Sequence, residues 1–79
     1  MKTIQDFIEL FAEQFEETES STFTSDTKFH DLDEWSSLIG LSVIAMIDEE
    51  FDVVVKGDEL RSMVTINDLY ELVARKACN

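Results

Sequence analysis

A chain of 79 residues, 44% of them hydrophobic and 10% aromatic, has the material for the core of one small domain and not of two. Its 18 acidic and 6 basic residues give a net charge of −12, which repels nucleic acid and anionic membrane surfaces and favours basic protein partners. The single cysteine, Cys78, excludes an internal disulfide and a thiolate metal cluster, and no apolar run approaches the length of a membrane span, so a soluble, cytoplasmic monomer is expected.

Proline is absent and glycine occurs only at Gly40 and Gly57, which favours helices. Ile4, Phe7, Ile8, Phe11 and Phe15 recur at intervals of three and four, with Gln5, Asp6, Glu9, Glu13, Gln14, Glu16 and Glu17 on the other side. This predicts an amphipathic first helix over about residues 3–17, opened by Thr3 with Asp6 three positions on. Lys2 is followed by Asp6 and Glu9 with no continuous apolar core, so the segment does not read as a signal peptide. From Thr18 to Glu34 the periodicity fails, and turn-forming residues surround Phe23 and Phe29, whose expected role is to anchor a long loop to the core.

The second helix is predicted from Ser37 to about Phe51. Val43, Ile44, Ile47 and Phe51 make one stripe with Gly40 on its flank, while Leu38, Ile39, Leu41, Ala45 and Met46 cover other angles. Only Asp48, Glu49 and Glu50 restore polarity. A helix apolar on nearly all sides is hard to bury in so small a domain, so its surplus face is expected to meet another protein or a bound chain. Residues 52–56 read as an extended connector, because a lone strand would have no partner. A short helix follows over 57–62, with Leu60 and Met63 inward. Thr65 as N-cap with Asp68 reaching back opens the last helix, 65–76, whose inner face is Ile66, Leu69, Tyr70, Leu72 and Val73 and whose end carries Arg75 and Lys76. The fold class is therefore all-α, one domain over 1–79, a small bundle of three main helices plus one short helix.

The acidic clusters do not make calcium loops. A loop begun at Asp31 puts Ser36 at the glycine position and Ser42 at the bidentate glutamate position, and one begun at Asp48 puts Val53 where glycine is needed. No dedicated metal site is expected. His30 is the sole histidine, there is no glycine-rich phosphate loop, and no base lies beside a serine in the sequence, so catalysis by this chain is disfavoured. Cys78 reads as an exposed thiol on a frayed tail.

Ser36 and Ser37 are adjacent at the head of the second helix and take different roles. Ser36 suits the N-cap, with its oxygen turned in to the free backbone donors, and Ser37, the first helical residue, is placed to turn its hydroxyl outward. Helix order, acidity and Trp35-Ser36-Ser37-Leu38, followed by an apolar helix ending Asp48-Glu49-Glu50-Phe51 and by Thr65-Ile66, give a chain that resembles the acyl carrier proteins over nearly its whole length. Members of that family usually carry Asp-Ser-Leu at this place, and Ser36 stands here where the aspartate would be.

The resemblance implies that Ser37 receives a covalent 4′-phosphopantetheine arm from coenzyme A through a phosphopantetheinyl transferase. The implied function is transport rather than catalysis: acyl intermediates held as thioesters for fatty-acid or polyketide-like biosynthesis. An apolar groove lined by Val43, Ile47, Phe51, Leu60, Met63 and Tyr70 would shelter the cargo, although the same residues serve equally as ordinary core. Acyl-loading and acyl-transfer enzymes with basic or apolar surfaces would dock on Leu38, Ile39, Ser42, Ala45, Met46, Asp48, Glu49 and Glu50. Ile39, Gly40 and Ser42 stand where usual carriers are acidic, so recognition is expected to lean on apolar contact. Two other readings stay open from the sequence: an aminoacyl or peptidyl carrier served by an adenylating enzyme, and an unmodified helical interaction module.

Overall fold

In the computed structural model, which describes residues 3–77, Thr3 opens the first helix, α1 (Ile4–Ala12). Its hydroxyl accepts from the Asp6 N–H at 3.2 Å, and the Asp6 carboxylate accepts in return from the Thr3 N–H at 3.3 Å. The helix stops earlier than its apolar spacing predicts, at Ala12 rather than at residue 17. Two causes combine. Glu13, Glu16 and Glu17 would pile negative charge on the negative end of the helix dipole. The backbone N–H groups of Glu16 and Glu17, which would extend the helix, are instead held by the Glu34 carboxylate at 2.8 and 3.0 Å. Phe15 is still buried, in the turn beyond the helix end.

The remaining helices are α2 (Ser37–Phe51), α3 (Gly57–Ser62) and α4 (Ile66–Ala77). These bounds match the expected ones within a residue, and the all-α class holds, with no strand among the described residues. Asp52 ends α2 in the left-handed region, φ 56° and ψ 42°, where its N–H donates to the Asp48 carbonyl at 3.1 Å. The connector is extended as expected. Val53 and Val55 are buried, and Val54 between them is exposed. Thr65 and Asp68 form the predicted reciprocal cap, each backbone N–H donating to the other's side chain at 3.1 Å.

α1 packs against α2 and α4, and α2 also packs against α3 and α4. Phe7, Phe11, Phe29, Val43, Ile47, Val55, Ile66, Leu69 and Val73 are fully buried between them. Phe11 is an aromatic hub, with the rings of Phe15 and Phe29 each 5.5 Å away, Phe23 at 6.0 Å and Trp35 at 6.4 Å. The loop from Glu13 to Ser36 is thus pinned by its own aromatics, with short 3-10 turns at Ser20–Thr22 and Phe29–Asp31. It also caps α4: the carbonyls of Thr27 and Ser25 accept from the N–H groups of Ile66 and Asn67 at 3.1 and 2.9 Å. The radius of gyration, 11.3 Å, is that of a close-packed chain of this length. Among the described residues no helix is long and apolar enough to cross a membrane. Cys78 lies outside the described residues.

Candidate functional site

The head of α2 is set by side chains that act on backbone. Ser36 is extended (φ −154°, ψ 172°), and its Oγ accepts from the Ile39 N–H at 3.3 Å while its carbonyl accepts from the Gly40 N–H at 2.9 Å. That hydroxyl is committed to the cap. Ser37 is the first helical residue and is exposed. The first turn of α2 contains no acidic residue, in a chain with 18 of them.

Two residues earlier, Glu34 clasps the chain that leaves α1. Its carboxylate accepts from the N–H groups of Glu16, Glu17 and Thr18 at 2.8, 3.0 and 2.9 Å and from the Thr18 hydroxyl at 2.8 Å. Partial removal from water pushes the Glu34 carboxyl up, but the hydrogen bonds from Glu16, Thr18 and Glu17 together outweigh this and hold it below the ordinary range. The next residue, Trp35, stacks near Phe11 and Phe15, lies 4.9 Å from Phe29 and meets His30 edge-on at 5.2 Å. Glu34 thus ties the entrance to α2 to the chain beyond α1, and Trp35 ties it to the core.

Beside Ser37 lies a cleft of about 330 Å³ between the first half of α2 and α3. Trp35, Gly40, Leu41, Ile44 and Leu60 give it an apolar lining, Ser36 and Ser37 stand at its edge, and His30, Gly57 and Arg61 complete it. The His30 ring Nε2–H donates to the Leu60 carbonyl at 3.3 Å, tying the loop to α3 across the cleft. Arg61 pairs with Asp58 on the exposed side of α3. Glu59 accepts from the Lys56 N–H at 3.0 Å and pairs with Lys76 of α4 at 3.1 Å, and these two partners hold its carboxyl below the usual range. α3 is thus held to the loop through His30 and to α4 through Lys76.

The expected groove residues do not gather here. Val43 and Ile47 are fully buried core, and Phe51 and Tyr70 pack edge-on against Phe7, each at 5.5 Å. Met63 is half-buried against the core, and only Leu60 of that set lines the cleft. Among the expected docking residues, Leu38 is 72% exposed, and Ala45, Asp48, Glu49 and Glu50 are exposed. Ile39 and Ser42 are half-buried. Met46 is a correction: only 5% exposed, it belongs to the buried core and offers almost nothing to a partner. Leu41, 64% exposed, takes its place beside Leu38.

Sequence reasoning missed Trp35 and His30 as site residues, and placed Leu41 only on the surplus apolar face of the second helix. The lone tryptophan directly before the serine pair was the available signal. Among the described residues no cluster of three or more His, Cys, Asp or Glu side chains is arranged to hold a metal ion. Comparison with protein-family models, curated proteins and solved structures finds no match.

Proposed function

We propose that this chain is an acyl carrier bearing 4′-phosphopantetheine, taken from coenzyme A, on the Ser37 hydroxyl. One observation carries the reading: of two adjacent exposed serines that line an apolar cleft, Ser36 uses its hydroxyl oxygen to cap α2, while Ser37 is the first residue of the helix itself. The surroundings fit the group. A phosphodiester on Ser37 would lie at the positive end of the α2 dipole, an attraction worth about 0.3–1 kcal/mol, with no carboxylate in the first turn to oppose it. Arg61, which pairs with Asp58, also lines the cleft. Ser37 needs no base from its own chain, because a phosphopantetheinyl transferase would supply that chemistry.

The bound arm supplies a thiol that holds the cargo as a thioester. The chain's own residues anchor, orient and present it. Ser37 sets the point of attachment, and the Ser36 cap with the Glu34 clasp holds that point still. Leu38 and Leu41 offer exposed apolar contacts to acyl-loading and acyl-transfer enzymes, and Asp48, Glu49 and Glu50 offer charge to basic ones. Tethering turns each delivery to a docked enzyme into an encounter at high effective concentration. Fatty-acid or polyketide-like synthesis is the pathway class that needs this service.

Intact mass after incubation with coenzyme A, magnesium and a broad-specificity phosphopantetheinyl transferase tests the reading. The expected result is a gain of one arm that Ser36→Ala retains and Ser37→Ala abolishes. A gain abolished only by Ser36→Ala moves the site by one residue. No gain on the folded protein rejects the carrier reading in favour of an unmodified interaction module.

A further inference from the structure

Arg61 is out of keeping with the charge of the chain. There are 18 acidic and 6 basic residues, yet among the described residues no carboxylate lines the cleft beside Ser37, and its one permanently charged lining residue is Arg61. Arg61 stands in the last turn of α3, and its side chain leans back toward the start of that helix, as long helical side chains do. A Cβ on Gly57 would sit 3.5 Å from Arg61 Nη1, and Gly57 also lines the cleft, so the guanidinium lies at that corner of it. Its partner, Asp58, holds it loosely. Both side chains are turned to water, Arg61 72% and Asp58 89% exposed, and pairs of that kind contribute little.

We infer that Arg61 is a positioning residue for the arm, exchanging Asp58 for the phosphodiester once Ser37 is modified. The inference rests on the carrier reading, which supplies the anion. Charge and shape select the partner. A phosphodiester carries a permanent negative charge over two unesterified oxygens, and the planar guanidinium meets such a pair with two parallel N–H donors. Ser37 at the head of α2 and Arg61 on α3 border one cleft of about 330 Å³, a space that an arginine side chain can cross. Arg61 works from a braced helix, since Glu59 pairs with Lys76 and His30 donates to the Leu60 carbonyl. The exchange ties the root of the arm to α3 as well as α2 and so restricts the directions in which the arm leaves the surface.

The test compares bare protein with protein modified from coenzyme A by a phosphopantetheinyl transferase, the arm confirmed by intact mass, in wild type, Arg61→Gln, Arg61→Lys and Asp58→Asn. The Arg61 Nε–H signal should shift on modification of the wild type. The phosphorus NMR line of the arm should be broader in wild type than in Arg61→Gln, where its root swings freely. Modification should raise the wild-type thermal midpoint by roughly 2–6 °C. The rise should be larger in Asp58→Asn, which removes the competitor, smaller in Arg61→Lys, which keeps the charge without the fork, and lost in Arg61→Gln. A merely structural Arg61 would change bare and modified chains alike. An unmoved Arg61 signal, or equal phosphorus lines in wild type and Arg61→Gln, overturns the inference while leaving the carrier reading intact. An arm gained by the wild type but not by Arg61→Gln also overturns it, since Arg61 would then serve the transferase. No gain of mass on the folded wild type rejects the carrier reading and this inference with it.

Discussion

Glu34 shows how one side chain replaces a turn of helix. Its carboxylate gathers three backbone N–H groups and a hydroxyl from residues 16–18 behind the end of α1, so the loop leaves α1 in one direction only. Glu34→Gln keeps the shape but sets an NH2 against those donors, and it should lower the thermal midpoint at neutral pH. The folded carboxyl sits below its ordinary value, so its contribution is present above the unfolded value and is lost as pH falls through the lowered folded one. Denaturation midpoints of wild type and Glu34→Gln should therefore converge as pH drops from about 7 to about 3. A gap that persists in acid would mean that shape, and not charge, holds the clasp. Ser36→Ala, by contrast, should cost about 1 kcal/mol at any pH, as a lost neutral N-cap does, and urea midpoints at two pH values distinguish the cases.

The helices divide by how local their signals are. The last three helices and the caps at Thr3, Ser36 and Thr65 were legible, because spacing and cap chemistry act within four residues. The end of α1 was not, because the group that stops it, Glu34, stands 16 to 18 residues away from its partners. The serine pair could be read for the same local reason as the caps. The cleft could not, since Trp35 and Leu60 face each other only once α3 has folded over α2. Periodicity correctly marked Val43 and Ile47 as an inward stripe but carried no information on whether that stripe lines a groove or fills the core. On α2, Leu38 and Leu41 predict an apolar-led interface. Under the carrier proposal, Leu41→Glu should weaken binding to an acyl-transfer enzyme more than Glu49→Gln does, with only a shallow loss of affinity on added salt, and a steep salt dependence would count against it.

Charge governs the whole molecule. With 18 acids against 6 bases on 79 residues, self-repulsion opposes the folded state at neutral pH. Sodium chloride raised from about 20 to about 500 mM should lift the thermal midpoint by screening that repulsion, and a flat response would show that the exposed acids are too dispersed to matter. Acidification should first help in the same way and then harm, as Glu34 and Glu59 lose their bonds to Glu16, Thr18, Lys56 and Lys76. In high salt the initial gain should disappear and the acid collapse remain.

The carbonyls of Ser25 and Thr27 that finish the first turn of α4 have one more consequence. Amide protons at the start of a helix normally trade with solvent deuterium almost at once, for want of a partner within the helix. Those of Ile66 and Asn67 are instead sheltered by a distant segment, so their exchange rates record how often that segment lifts away. Followed by NMR in heavy water, two amides at the head of the last helix become a clock for breathing of the loop that precedes α2.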